Sequence, residues 1–328
     1  MTGYGPIEGE PILRHAYCEH VGGLYESKLK PEQIQITSGC NQAFIASVMA
    51  IAGAGDSVLV SNPFYFNHAT TLAMLGITCK EFDLRAENGF LPDVEDIRQK
   101  IDPSVKAVLL VSPNNPTGAV YPPNLLDAIF ELCREFGIWL ILDETYRDFL
   151  PLGQKQPHSI FGIQDWQENF IQLYSFSKSF CIPGHRLGAI TTGEQTVVQI
   201  AKVMDNLQIC APRPPQEAIA YAIPRLGSWQ ADNRREIATR ADTLKTTLSP
   251  LENWQISSIG AYFSYIKHGF DGVSSEIVAR ELGQNMGISV LPGTFFGSNQ
   301  EQYLRFAFAN VDCDKIQLLG SRLAEFTL

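Results

Sequence analysis

Residues 174–188 read YSFSKSFCIPGHRLG. The apolar run Phe170–Tyr174 predicts a buried strand, so Ser175, Ser177 and Lys178 fall just past its end. Leu187–Thr191 (LGAIT) predicts the next strand, with Arg186 at its entrance. A surface lysine is the plain alternative for Lys178, but its setting at the end of a buried strand, among hydroxyls, argues otherwise. Its amine can condense with a carbonyl. Ser175 and Arg186 are the residue types that hold a phosphate.

Upstream, the chain repeats the same plan. Gln33–Thr37 (QIQIT) predicts a short strand, Ser38-Gly39-Cys40-Asn41 a turn, and Asn41–Ala52 a helix. Free backbone N–H groups at such a helix start favour an anion. Ser57–Val60 predicts a strand and is followed by Asn62-Pro63-Phe64-Tyr65-Phe66, three aromatics of which one can stack on a flat ring. Thr78–Asp83 predicts a strand, and Val94–Ile101 a helix capped by Asp93. Val105–Val111 is almost wholly apolar, as a strand covered on both faces must be, and ends in Ser112–Gly118 (SPNNPTG), strong turn chemistry. A helix over Leu125–Phe136 leads to Ile138–Leu142 (IWLIL), which ends in Asp143-Glu144-Thr145-Tyr146. A carboxylate there needs a partner.

This alternation gives the fold class: α/β, a mainly parallel sheet sandwiched by helices. The candidate residues gather on one sheet edge, where such sheets bind ligands. Before the sheet, Pro11 starts a helix that Gly22-Gly23 is expected to stop, with Tyr4 in a glycine-rich loop ahead of it. From Glu194 the pattern is helical, and a long helix over Trp229–Thr247 opens a smaller α+β domain. The predicted domains are 1–227 and 228–328. Strands are expected over Ala261–Ile266, Ile288–Leu291 and Tyr303–Ala309 (YLRFAFA). Arg305, in the last, needs an anion, from the protein or from a substrate.

Composition narrows the function. The 328 residues are 45% hydrophobic and 18% charged with a net charge of −10, against a nucleic-acid partner. Seven scattered cysteines form neither a disulfide framework nor a zinc pattern, which points to a cytoplasmic protein. No stretch suits a membrane span or a signal peptide. The six histidines show no metal spacing and read as structural or surface groups. Cys40 and Cys181 read as packing residues.

Together, SPNNPTG at 112–118, DETY at 143–146, SFSK at 175–178, Arg186 and LRFAFAN at 304–310 resemble the class I/II aminotransferases, enzymes of the aspartate aminotransferase superfamily (fold type I). The likeness runs from Tyr4 to Arg305. It implies pyridoxal 5'-phosphate as cofactor, with Lys178 as its Schiff-base lysine and later proton carrier. It implies Asp143 against the ring nitrogen, Asn115 and Tyr146 at the ring oxygen, and Tyr65 stacked on the ring, with Phe64 or Phe66 as alternatives. Ser38, Gly39, Cys40, Ser175 and Arg186 would cradle the phosphate. Tyr4 would reach the phosphate of a neighbouring subunit, making a homodimer. Arg305, helped by Asn115, would bind the substrate carboxylate, unless it serves only a structural ion pair.

The implied reaction is transfer of an amino group between an amino acid and a 2-oxo acid by a ping-pong route. Neutral residues around Gln208, with Arg213 the one cation, favour neutral or aromatic substrates over dicarboxylates. A C–S β-lyase and a cofactor-binding module without turnover share the same motifs. In the family a segment precedes the tyrosine motif, which here begins almost at Met1; apolar surface on the small domain is the expected result.

Overall fold

The computed structural model describes residues 3–328. Its larger sheet has seven strands: β1 (Ile34–Thr37), β2 (Ser57–Asn62), β3 (Thr78–Asp83), β4 (Val105–Val111), β5 (Trp139–Asp143), β6 (Phe170–Ser175) and β7 (Gly188–Thr191). They lie in the order β1-β7-β6-β5-β4-β2-β3. All neighbours from β6 to β3 pair in parallel, whereas β7 is antiparallel to both β1 and β6. The sheet is therefore mainly parallel, as expected. Because β7 runs backwards, its beginning lies beside the ends of β1 and β6. Arg186, before β7, thus reaches the same edge as residues that follow the other strands.

Alternation along the strands sorts side chains to two cores. On β4, Val108 and Leu110 face one cluster with Tyr17 and Phe130; Ala107 and Leu109 face another with Phe44 and Met204. Helices α1 (Pro11–Leu24), α2 (Cys40–Ile51), α3 (Phe66–Met74), α4 (Val94–Lys100), α5 (Pro123–Phe136), α6 (Phe176–Ser179), α7 (Glu194–Leu207) and α8 (Arg213–Ala222) accompany this sheet. Each fully buried Leu, Ile or Phe contributes about 1.5–3 kcal/mol, so these two layers supply most of the driving force for folding.

Helix α9 (Gly227–Leu248) leads into a second sheet of β8 (Trp254–Gly260), β9 (Phe263–His268), β10 (Leu291–Pro292) and β11 (Tyr303–Phe306), in the order β10-β11-β9-β8, with α10 (Ser275–Met286) and α11 (Cys313–Glu325). The two sheets meet at a seam of bare backbone. Gly118, at φ +76°, abuts the backbone of Gly260 and Phe263, and a Cβ there would collide with both.

Several expected boundaries moved. Gly22-Gly23 does not stop α1, which continues to Leu24 and buries Val21 and then Tyr25. Ala261, at φ 45°, is the turn into β9 rather than a strand residue. The predicted strand at 288–291 pairs only through Leu291 and Pro292. β11 ends at Phe306, and Phe308–Asn310 is a turn of 3-10 helix. β8 escaped the sequence reading. A groove of about 400 Å³ on the small-domain side is lined by apolar side chains, including Leu244, Ile288, Val290, Phe306 and Ile316.

Candidate active site

At the edge defined by the ends of β5 and β6 lies a cavity of about 150 Å³. Ser175 closes β6, and its hydroxyl accepts from the Ser177 amide, capping the short α6. One turn on, Lys178 reaches the cavity, its Nζ 5.9 Å from the centre of the Tyr146 ring. Burial, then the charges of Arg305 and Arg186, hold the Lys178 ammonium below its usual range. A lysine so placed gives up its proton more readily than one in water.

Asp143 ends β5, buried. Its Oδ1 accepts from the Thr145 amide at 2.9 Å, and its Oδ2 lies 3.4 Å from His68 Nε2. Burial pushes the carboxyl up, but the hydrogen bond and charge of His68, together with Thr145, outweigh it and hold it below the usual carboxylate value. His68 therefore stands beside a candidate site residue, which the reading of the six histidines as structural or surface groups did not single out. It is delivered by α3, and Phe44 and Tyr65 pack on its ring at 4.4 and 5.3 Å. The available signal was the buried acid itself, which demanded a partner.

Tyr65, not Phe64 or Phe66, lines the cavity; Phe66 packs on Phe296. Asn115 and Tyr146 line it too, both buried, and burial pushes the Tyr146 phenol well up, so it stays a hydrogen-bond donor. Asn115 Oδ1 accepts from Arg305 Nη1 at 2.8 Å. The Arg305 guanidinium is flanked by the rings of Phe263 and Phe296 at 4.5 and 5.0 Å, and its buried Nε has no partner. Among the described residues no carboxylate pairs with Arg305, so the purely structural ion pair is absent there.

The segments expected to cradle a phosphate come together, Cys40, Ser175 and Arg186 lining the cavity with Ser38 and Gly39 just outside it. Gly39, at φ +83°, has so little room that a Cβ would strike the Arg186 guanidinium. Cys40 starts α2 at the cavity wall, and burial followed by the nearby Asp143 charge pushes its thiol up, which suits a packing role. The hydroxyls of Ser38 and Ser177 are buried without partners. Gly188 stands opposite Thr37 on one side and Ser175 on the other, tying the turns together. Tyr4 is 79% exposed and outside the cavity.

These features fit pyridoxal phosphate: an amine of lowered basicity, a buried ionised acid, an aromatic wall, orphaned hydroxyls beside a guanidinium, and a glycine that only a bare backbone satisfies. When bound, such a cofactor withdraws electrons from the α-carbon of an amino acid joined to it.

Comparison with known proteins agrees. The family model for aminotransferase class I and II matches residues 1–323. An aromatic aminotransferase, ISS1, of Arabidopsis thaliana is 31% identical, over 98% of this chain and 81% of its own length. An aspartate aminotransferase of Pyrococcus horikoshii is 28% identical, over 94% and 79% respectively. Among solved structures, Thermus thermophilus aspartate aminotransferase with maleate superposes with a TM-score of 0.91 at 27% identity, covering 98% of this chain and 83% of that one. The lyase and the module without turnover are not favoured by these likenesses. The sheet, the cavity and the relatives lead to one assignment: the chain belongs to the class I and II aminotransferases, pyridoxal phosphate enzymes of fold type I that act on amino acids and 2-oxo acids.

Proposed function

We propose that this aminotransferase prefers neutral or aromatic amino acids and works by a ping-pong route in which Lys178 carries the proton. The observation behind it is the setting of Arg305: a guanidinium without a protein carboxylate, held between Phe263 and Phe296 and steered by Asn115. In this reading Arg305 takes the substrate carboxylate through paired N–H donors. That contact orients the α-hydrogen toward Lys178. The neutral Nζ of Lys178 would take the proton from the substrate α-carbon and deliver it to the carbon that receives the amino group. Asp143 stays ionised with the help of His68 and Thr145, and so offers a negative charge to a protonated ring nitrogen. Asn115 and Tyr146 would donate hydrogen bonds to the cofactor's ring oxygen, and Tyr65 would lie against the ring. Ser38, Gly39, Cys40, Ser175 and Arg186 would hold the phosphate.

A dicarboxylate would need a second free cation. Arg213, the candidate from the sequence, is bound by Glu10 and by the Gly3 carbonyl, and Gln208 accepts from Gln42. The aromatic surroundings of Arg305 offer apolar surface instead. The aromatic aminotransferase among the relatives accords with this preference, although others are named for aspartate.

We further propose a homodimer in which the exposed Tyr4 completes the partner's phosphate site, domains of 1–227 and 228–328, and a cytoplasmic location, to which seven unpaired cysteines are suited. The deciding experiment is visible spectroscopy and turnover on PLP-loaded protein with single amino acids. Phenylalanine, tyrosine and leucine should convert the cofactor spectrum, and Lys178→Ala should cut multiple turnover by at least about 10²-fold. Conversion confined to aspartate and glutamate would refute the substrate reading, and near-normal turnover by Lys178→Ala the proposed role of the lysine.

A further inference from the structure

A second cavity, of about 390 Å³, lies between residues 147–155 and the first turns of α9, with Leu24 also in its wall. Its wall carries four cationic side chains: Arg147, Lys155, Arg234 and Arg235. Arg147 is the unusual one. It is 2% exposed, and none of its three guanidinium nitrogens has a hydrogen-bond partner among the described residues.

Two acids lie nearby: Glu144, which is buried, and Asp148, which is half-buried and lines the cavity itself. Glu144 Oε2 accepts from Tyr25 and Gln172, while its Oε1 lies 3.5 Å from His158 Nε2 without a hydrogen bond; Asp148 Oδ2 accepts from Tyr174 at 2.7 Å. What faces Arg147 is aromatic: its guanidinium lies 3.9 Å from the centre of the Tyr174 ring, with Tyr17 and Tyr25 farther off. Cation–π attraction offsets part of the desolvation cost, yet five N–H donors still lack acceptors. A buried guanidinium in that state calls for an anion.

The rest of the wall agrees. Arg234 gives Nε and Nη2 to the carbonyls of Leu150, Pro151 and Gln154, which fixes its guanidinium in place. Gly227, at the N-terminus of the 22-residue α9, lines the cavity as well, adding the positive end of the helix dipole. Leu24, Leu150 and Leu152 supply apolar surface.

We infer that this cavity is a binding site, separate from the catalytic centre, for a small carboxylate with a short apolar body. Planar guanidinium forks match a carboxylate, and the leucines accept the body. The site touches the catalytic machinery through its walls. Gln230 donates to Ser179, the neighbour of Lys178, at 2.6 Å, and Asp148 holds the hydroxyl of Tyr174, the neighbour of Ser175.

The test is titration calorimetry of PLP-loaded enzyme with 4-methylpentanoate, which has neither an amino nor an oxo group to react. Arg305→Gln disables carboxylate binding at the catalytic centre, and this variant should still bind one molecule. Adding the surface changes Lys155→Met and Arg235→Met should weaken that event about tenfold or more by removing two charged contacts. Arg147→Met in the same background should abolish it; if that protein does not fold, the surface pair decides alone. Loss of all binding in Arg305→Gln, or unchanged binding after the Lys155 and Arg235 changes, would overturn the proposal. Tighter binding of inorganic phosphate than of the carboxylate would overturn the assignment of an apolar body.

Discussion

Lys178 shows how far a single residue's setting can be turned into a measurement. Its ammonium is destabilised first by burial and then by Arg305 and Arg186. The unfolded chain therefore binds this proton more tightly than the folded one. Below the lowered folded value the protonated lysine weakens cofactor-free protein by a constant amount. Between that value and the ordinary 10.5 the folded state regains stability as pH rises. Lys178→Met should thus stabilise cofactor-free protein against urea at pH 7, with the advantage shrinking as pH approaches 10.5. An equal or lower midpoint for the variant at pH 7 would contradict the lowered basicity. Lys178 and Asp143 were legible because each stands at the end of an apolar strand, where a charge needs a reason. His68 was not, because it comes to Asp143 from α3, and no spacing in the chain records that approach. Arg147 was equally silent: a charged residue after DETY gives no sign that it will be enclosed by three tyrosines.

Among elements, β7 is the one whose direction the chemistry depends on. Gly188 begins it in register with both Thr37 and Ser175, and a Cβ there would stand 2.6 Å from the Gly39 carbonyl carbon and 2.9 Å from the Cys40 nitrogen. Gly188→Ala must push the Gly39 turn away from Arg186, at a cost typical of overpacking, about 1–3 kcal/mol. PLP affinity should fall by about tenfold or more, since 1.4 kcal/mol is a factor of ten. Gly184→Ala, with nothing within 4 Å of its added Cβ, should leave affinity unchanged and serves as the control. Equal affinities for the two variants would show that the cradle does not depend on this contact. The strand LGAIT was plain in the sequence, but its reversed direction was not, since hydrophobic alternation carries no polarity. β8 was missed for a related reason. It is an edge strand with polar Gln255, Ser257 and Ser258, and most of its residues are only half-buried, so the pattern that marks a strand is diluted.

For the whole molecule, the proposed sharing of sites between subunits can be read from mixed dimers. One chain carrying Lys178→Ala and another carrying Tyr4→Glu should each be impaired alone. If Tyr4 serves the partner's site, half of the dimers in an equal mixture are mixed and each has one intact site of two, giving about a quarter of normal activity. No gain on mixing would place Tyr4 outside the neighbouring site. The layered α/β architecture was legible from alternating buried strands and helices, whereas the contact of Gly118 with Gly260 and Phe263 was not, because two stretches far apart in the chain meet there through backbone alone. The reversed β7 also bears on how the molecule breathes. Four residues long, it is flanked by strands on both sides, while β1 and β3 are the border strands of the sheet. Amide protons of Ala189 and Ile190 are thus locked into the slowest-exchanging part of the molecule, released only by global opening, whereas the strands at either border exchange through fraying. A strand of only four residues becomes a clock for the stability of the entire sheet.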